Sequence, residues 1–490
     1  MRRFELRPSA RLLSVTLLMG AALALPTLAS AKPSKLDPGL DAAAASLPAD
    51  AALRVIVYGD ARRLKDVAGK GKLKLKKRLG LIDADSAVIA AGDLQSLANE
   101  EGVEFVAPDL PVQPTAVGTP ISFPLLSTLY PKIDGAPSAW SKGYTGEGVG
   151  VAVVDSGVAP LADFGSRLTR VQLSGQPSID DTYGHGSFVA GVLAGSSPDG
   201  RYVGIAPKAS VYAIDVNDAS GVYTSNVIAG LDWVDANRQT ANIRVVNVSL
   251  SETTAASYLS SPLDSAVERL WQHGVVVVVS AGNLGPGTAV YAPANDPFVI
   301  TVGATDNSDT LATGDDFPAS FSSGGKTQDG FDKPDVFAPG RHIPSTLPSG
   351  TTLALQAPLT NLLGGGYATM SGTSFAAPQV AGAAVLLVQQ HPEWTPDQIK
   401  WLLAQTSRSI GNSSRAIDIA GALSFTGGIG VANQGVTPAP QPSATTSADG
   451  SVTSNTSSWN TSSWNTSSWN TSSWNTSSWN TSSWNFSNWD

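Results

Sequence analysis

Two kinds of apolar pattern organise this chain. Short β-branched runs with no polar face, GVGVAVV at 148–154 and VVVVVS at 275–280, predict strands buried on both sides of a parallel sheet. Between and after them lie stretches of helical character, PLDSAVERLWQ at 262–272 and SFAAPQVAGAAVLLVQQ at 374–390. Pro378 is expected in about the first turn of the latter, where a missing N–H costs little. Strands alternating with helices predict an α/β domain, and open sheets of this kind place their sites beyond the carboxyl ends of the strands.

The segment before this domain has a different rhythm. LRVIVYG (53–59), a helix-like ARRLKDVAG, KLKLKKRLGLIDADSAVIA (72–90), a helix-like GDLQSLANEEG and VEFVAPD (103–109) predict a small α+β unit over residues 32–120. Its basic run from Lys70 to Arg78 alternates lysine with leucine, which suits an amphipathic strand with one solvated face. Ahead of it, four arginines, the apolar run LLSVTLLMGAALAL and Ala29-Ser30-Ala31 read as a signal peptide, residues 1–31. A secreted, extracellular protein follows, with no transmembrane anchor, since no later run approaches the ~20 apolar residues of a span.

Beyond a main domain of residues 121–425, a Gly, Pro, Ser and Thr-rich stretch predicts a flexible linker over 426–454. A tail over 455–490 then carries Thr-Ser-Ser-Trp-Asn six times from Thr456 to Asn485. A period of five fits neither helix nor strand, so no independent core is expected there. Its spaced tryptophans suit either a solvated tail or contact with a cell surface or glycan by ring stacking.

Charge and cysteine count narrow the class. The first 120 residues hold 16 Lys and Arg against 13 Asp and Glu, leaving 15 against 27, a net −12, for the rest of a chain with 31 and 40. That acidity argues against nucleic-acid binding. The chain has no cysteine, so neither a disulfide framework nor a thiolate metal site is available.

Four polar residues interrupt the apolar pattern where chemistry is expected. Asp155 follows the strand-like run at 148–154, His185 lies in YGHGSFVAG, Asn283 follows VVVVVS in SAGN, and Ser374 opens the small-residue helix. Serine is a weak nucleophile unless an imidazole takes its proton and a carboxylate orients that imidazole. Ser374, His185 and Asp155 fill those roles, and Asn283 can donate to an oxyanion alongside the amides of a helix N-terminus. The order Asp, His, Ser and the lack of a Gly-x-Ser-x-Gly elbow exclude an α/β-hydrolase scheme. His273, His342 and His391 sit where cap, turn or solvent roles suit them, and no HExxH spacing suggests zinc. A rival reading, an idle scaffold that presents the Trp repeat as an adhesin, is opposed by all four positions being filled.

The blocks VVDSGV, GHGSFVAG, NVSLS (247–251), SAGN and GTSFAAPQVAG resemble the subtilisin-like serine peptidases, as do GIAPKASVYAIDV, YAPANDPFVITVGATD and DVFAPG between them. The likeness runs from about Pro131 to about Leu423. It implies a three-layer α/β fold with a central parallel sheet, and a secreted endopeptidase acting on protein or peptide substrates. It also implies a substrate-binding strand at Ser249, Leu250 and Ser251. By the same resemblance, residues 32–120 are a pro-domain that chaperones folding, occupies the cleft and is removed in maturation. Calcium enters by family analogy alone, since no contiguous loop has EF-hand spacing and the metal ligands are unknown. The chain departs from the family at Phe188, where a second histidine is common, at Ser187, where threonine is usual, and at Ser251, where glycine is frequent.

Overall fold

Helices and strands alternate in the computed structural model, which describes residues 35–71, 73–114, 128–173, 178–218, 221–357, 359–411, 413–439, 444–446 and 452–454. The expected signal peptide (1–31) and repeat tail (455–490) lie outside them. The N-terminal unit comprises β1 (Ala52–Tyr58), α1 (Ala61–Gly69), β2 (Leu73–Leu79), β3 (Ala84–Ala90) and β4 (Phe105–Pro108). Its strands form an antiparallel sheet in the order β2-β3-β1-β4. In β1, Val55 and Val57 belong to a small core with Leu64 and Val67 of α1, while Ile56 and Tyr58 belong to the main core. Alternation at period two thus gives one face to the unit itself and the other to the body.

A short strand, β5 (Val112–Pro114), follows. The body then places β6 (Gly150–Asp155), β7 (Leu168–Gln172), α2 (His185–Ala194), β8 (Ser210–Asp215), α3 (Thr224–Asn237), β9 (Ile243–Val248) and β10 (Leu250–Glu252). After these come α4 (Pro262–Gln272), β11 (Val276–Ser280), β12 (Ile300–Asp306), β13 (Val336–Pro339), α5 (Thr373–Gln390) and α6 (Pro396–Thr406). Parallel pairing gives the order β7-β8-β6-β9-β11-β12-β13. Every residue of β6 and β11 is buried, as strands covered by helices on both faces must be. The chain moves outward from β6 to one side and then returns to place β9 on the other. Asp155 therefore ends its strand at the reversal of order, where open sheets leave a crevice.

The N-terminal unit rests on α3 and α4. The N–H of Gly80 donates to Asp232 Oδ2 at 2.9 Å, and Lys77 Nζ donates to the Leu173 carbonyl at 3.1 Å. Asp109 accepts from the N–H and the hydroxyl of Ser225, both at 2.8 Å. A carboxylate in the first turn of a helix meets the positive end of its dipole. Arg54 pairs with the same carboxylate at 3.0 Å and lies 3.7 Å over the Tyr223 ring. Finally β5 pairs antiparallel with β10.

Two expectations need correction. Pro378 is the sixth residue of α5, in its second turn. His342, by contrast, takes the turn role among those expected: its φ is 55°, its side chain is buried and its Nδ1 lies 2.9 Å from Asp309 Oδ2. The linker does not begin at 426: Tyr258 donates its hydroxyl proton to the Thr437 carbonyl at 2.7 Å, Ala439 N–H donates to Glu268 Oε2 at 2.7 Å, and Ile429 and Val436 pack on the core. Scattered apolar residues with no period hid that docking in the sequence.

Candidate active site

Three loops at the carboxyl ends of the sheet carry the site. Asp155 is the last residue of β6 and His185 the first of α2. Asp155 Oδ1 lies 2.8 Å from His185 Nδ1 and also accepts the Ser156 N–H at 2.8 Å. A carboxylate accepts a hydrogen bond from the proton kept on Nδ1, which leaves Nε2 as the basic nitrogen of the neutral ring. His185 is fully buried, and its Nε2 has no hydrogen-bond partner among the described residues. Gly186 permits this approach: a Cβ there would stand 2.1 Å from the Gly157 carbonyl oxygen and 3.2 Å from the Asp155 side chain.

Asp181 and Ser156, which the motifs did not single out, bind these two elements together. Asp181 accepts from Ser156 Oγ at 2.9 Å, the Gly184 N–H at 2.7 Å, and the N–H and hydroxyl of Ser187 at 2.8 and 2.7 Å. Ser156 Oγ in turn accepts the Gly186 N–H at 2.9 Å. Burial raises the Asp181 carboxyl, while the bonds from Ser187, Gly184 and Ser156 oppose that shift. The only sequence signal was an acid four residues ahead of the histidine in a polar turn. Asp215, beside Asp155 in the register, is pushed up to about 6 by burial, with Asp181 and Asp155 adding to the effect.

Ser374 is the second residue of α5. Its Oγ donates to the Ser249 carbonyl at 3.3 Å, and Ser249 Oγ donates to the Ser374 carbonyl at 3.0 Å. In a regular helix that second carbonyl would receive the N–H of residue 378, which proline lacks. The Ser249 side chain is thus turned toward α5, and its main chain leads into β10. The ring of Phe375 lies 5.7 Å from the imidazole of His185 and 4.4 Å from the ring of Phe188. The residue that replaces a histidine at 188 therefore braces α2 against the start of α5.

Asn283 follows β11 and faces the same helix start. Its Oδ1 accepts the N–H and hydroxyl of Thr373 at 2.9 and 3.1 Å. With the oxygen pinned, the amide's two donors point away from Thr373, and Nδ2 is shielded without a partner among the described residues. Asp155, His185, Asn283, Ser249 and Ser374 are therefore gathered, while Leu250 and Ser251 lie in β10 against β5. His273 caps the C-terminus of α4, and His391 caps that of α5 and stacks on Trp394. Neither belongs to this cluster.

A cation site is less well provided. Lys400 Nζ lies 2.6, 3.2 and 3.0 Å from the carbonyls of Pro297, Phe298 and Val299, and 3.0 Å from Asp335 Oδ1. Lys333 Nζ joins Asp335 Oδ2 at 2.7 Å and the Val299 carbonyl at 3.1 Å. Two ammonium groups already neutralise this nest of oxygens. Among the described residues no group of three or more His, Asp or Glu side chains is placed to hold a metal ion. No helix of the described residues is long and apolar enough to cross a membrane.

Comparison with known proteins agrees with this geometry. Residues 146–430 match the model of the Subtilase family. The chain is 40% identical over 273 residues to the serine protease AprX of Bacillus subtilis, covering 53% of this chain and 61% of that one. It is 34% identical over 357 residues to subtilisin E of the same organism, covering 71% and 82%. Among solved structures it is similar to fervidolysin from Fervidobacterium pennivorans, a keratinolytic enzyme related to subtilisin. There the TM-score is 0.61 at 26% identity, over 78% of this chain and 62% of that chain. The chain thus spans about three fifths of AprX and of fervidolysin, and four fifths of subtilisin E.

Proposed function

Because this chain belongs to the subtilase family of serine endopeptidases, we propose that it hydrolyses peptide bonds through an acyl-enzyme formed on Ser374. His185 Nε2 takes the Ser374 proton as Oγ bonds to the scissile carbonyl carbon. Asp155 holds the imidazole by Nδ1 and stabilises it once charged. The negative charge on the carbonyl oxygen falls to Asn283 Nδ2 and the backbone N–H of Ser374 in the first turn of α5. Collapse breaks the C–N bond, His185 returns the proton to the leaving amine, and water repeats the sequence to free Ser374. No step needs a metal.

The observation that carries this reading is the 2.8 Å contact of Asp155 with His185 Nδ1, which leaves Nε2 as a buried base without a partner. The N-terminal unit acts as a pro-domain, supported by its docking on α3 and by β5 lying against β10. Removal of that unit by the enzyme's own serine matures a secreted protein. A fluorophosphonate probe tests the chemistry: wild-type protein should be labelled, and Ser374→Ala and His185→Ala protein should not. Equal labelling of Ser374→Ala would refute the assignment of the nucleophile.

A further inference from the structure

Exposed leucines gather beside the loop that carries His185. Seven large apolar side chains stand exposed among the described residues, and the two most exposed, Leu355 at 78% and Leu359 at 86%, lie close in sequence to a third, Leu362. One exposed leucine needs no explanation, but a group of them marks a surface that something covers. No Asp, Glu, Lys or Arg occurs between Arg341 and Glu393, so this surface selects by apolar contact and not by charge.

The stretch is built onto the histidine's loop. The N–H groups of Thr352 and Leu353 donate to the carbonyls of Thr182 and Tyr183 at 2.9 and 3.0 Å. A Cβ on Gly184 would stand 2.6 Å from Thr351 Oγ1. Thr351 caps the short helix Thr352–Gln356 by accepting the Ala354 N–H at 3.4 Å. Leu353 is buried in the main core, so Leu355, two residues on and about 200° round the helix, faces outward. The return is tied to the chain that enters the nucleophile. Strand Leu362–Gly364 pairs with Tyr367–Met370, which leads to Ser374, and Asn361 Nδ2 donates to the Thr369 carbonyl at 3.2 Å. The leucines thus stand between the approach to the base and the approach to the nucleophile.

The chemistry says which part of a substrate comes here. His185 gives its proton to the leaving amine, so the chain that carries that amine passes the histidine. An extended chain advances about 3.3 Å per residue. Its second and third residues after the bond therefore come about 7–10 Å beyond the leaving nitrogen, onto what stands over Thr182, Tyr183 and Gly184. We infer that Leu355, Leu359 and Leu362 bind the second and third residues after the scissile bond and select apolar side chains there. This rests on the serine mechanism proposed above. It adds a preference on the amine side of the cut that Asp155, His185, Asn283 and Ser374 do not themselves supply.

Two substrates sharing one acyl tetrapeptide that the enzyme cleaves test this. One is its p-nitroanilide, which has no residue after the bond; the other is an internally quenched peptide that continues for four residues, with Leu at the second and third. Measured on one preparation, the ratio of their kcat/KM values does not depend on how much of the enzyme is active. Leu355→Ser combined with Leu359→Ser replaces two exposed side chains and should lower the ratio of peptide to anilide about tenfold. Wild type should also prefer the Leu peptide about tenfold over one with Ser at both positions, and the double variant should lose that preference. An unchanged ratio in the variant, or a wild type indifferent to Leu and Ser, would overturn the inference and leave the serine mechanism standing. Hydrolysis of the anilide by Ser374→Ala protein at the wild-type rate would overturn the mechanism, and the inference with it.

Discussion

Ser249 and Ser374 exchange hydrogen bonds, the hydroxyl of each donating to the carbonyl of the other at 3.0 and 3.3 Å. This pair joins the chain just ahead of β10 to the start of α5, and it exists because Pro378 leaves the Ser374 carbonyl without its helical donor.

Ser249→Ala should accordingly remove a hydrogen bond donated to a buried carbonyl, at a cost of about 1 kcal/mol in stability. Thermal unfolding in the Ser374→Ala background would measure it. Adding Pro378→Ala, which supplies a helical N–H for that carbonyl, should recover part of the loss. No recovery would mean that the proline and the serine are unrelated.

On the proposed mechanism, Asn283→Ala removes a donor aimed at charge that exists only in the transition state. It should lower kcat by roughly a hundred- to a thousandfold with KM nearly unchanged. Steady-state kinetics on a peptide anilide decide the point, and a change mainly in KM would assign Asn283 to ground-state binding.

Asp181→Asn should act through position. An amide offers one acceptor where the carboxylate offers two, so the bonds from either Ser156 and Gly184 or the Ser187 N–H and hydroxyl are lost. Stability should fall by about 2–4 kcal/mol. Because the start of α2 would no longer be tied to the end of β6, kcat should fall more than KM changes.

Glu252 lies in β10 under β5. Its Oε1 accepts from Thr224 Oγ1 at 2.7 Å, and Oε2 has no partner among the described residues. Burial pushes it up to about 7 from an ordinary 4.5. The Thr224 bond opposes this and the nearby Asp109 adds to it; Tyr58 and Asp264 face the same carboxyl. A group raised in the fold stabilises it fully below its unfolded value and loses that contribution as pH rises through the folded value. In the Ser374→Ala background, Tm should therefore decline from about pH 4.5 to pH 7 more steeply than in the same protein carrying Glu252→Gln. Parallel curves would show that Glu252 does not titrate in this window.

Much of the chemistry was legible because it depends on local pattern. Apolar β-branched runs that end in a lone Asp or Asn mark strand ends, and a small-residue stretch after Gly-Thr-Ser marks a helix with its nucleophile at the start. Those signals pointed to Asp155, His185, Asn283 and Ser374 as candidates and to the parallel sheet whose ends they lie near. What only the tertiary structure decided is how groups distant in sequence meet. Asp181 reads as one more acid in a polar turn until the fold brings Ser156 to it across 25 residues. Ser249 reads as a strand residue until Pro378 leaves it a carbonyl to satisfy. The tract after 425 reads as a linker because its few apolar residues have no period, yet Val436 finds the core. Periodicity reports the face an element presents to its neighbours, and a hydrogen bond between distant loops leaves no period to read.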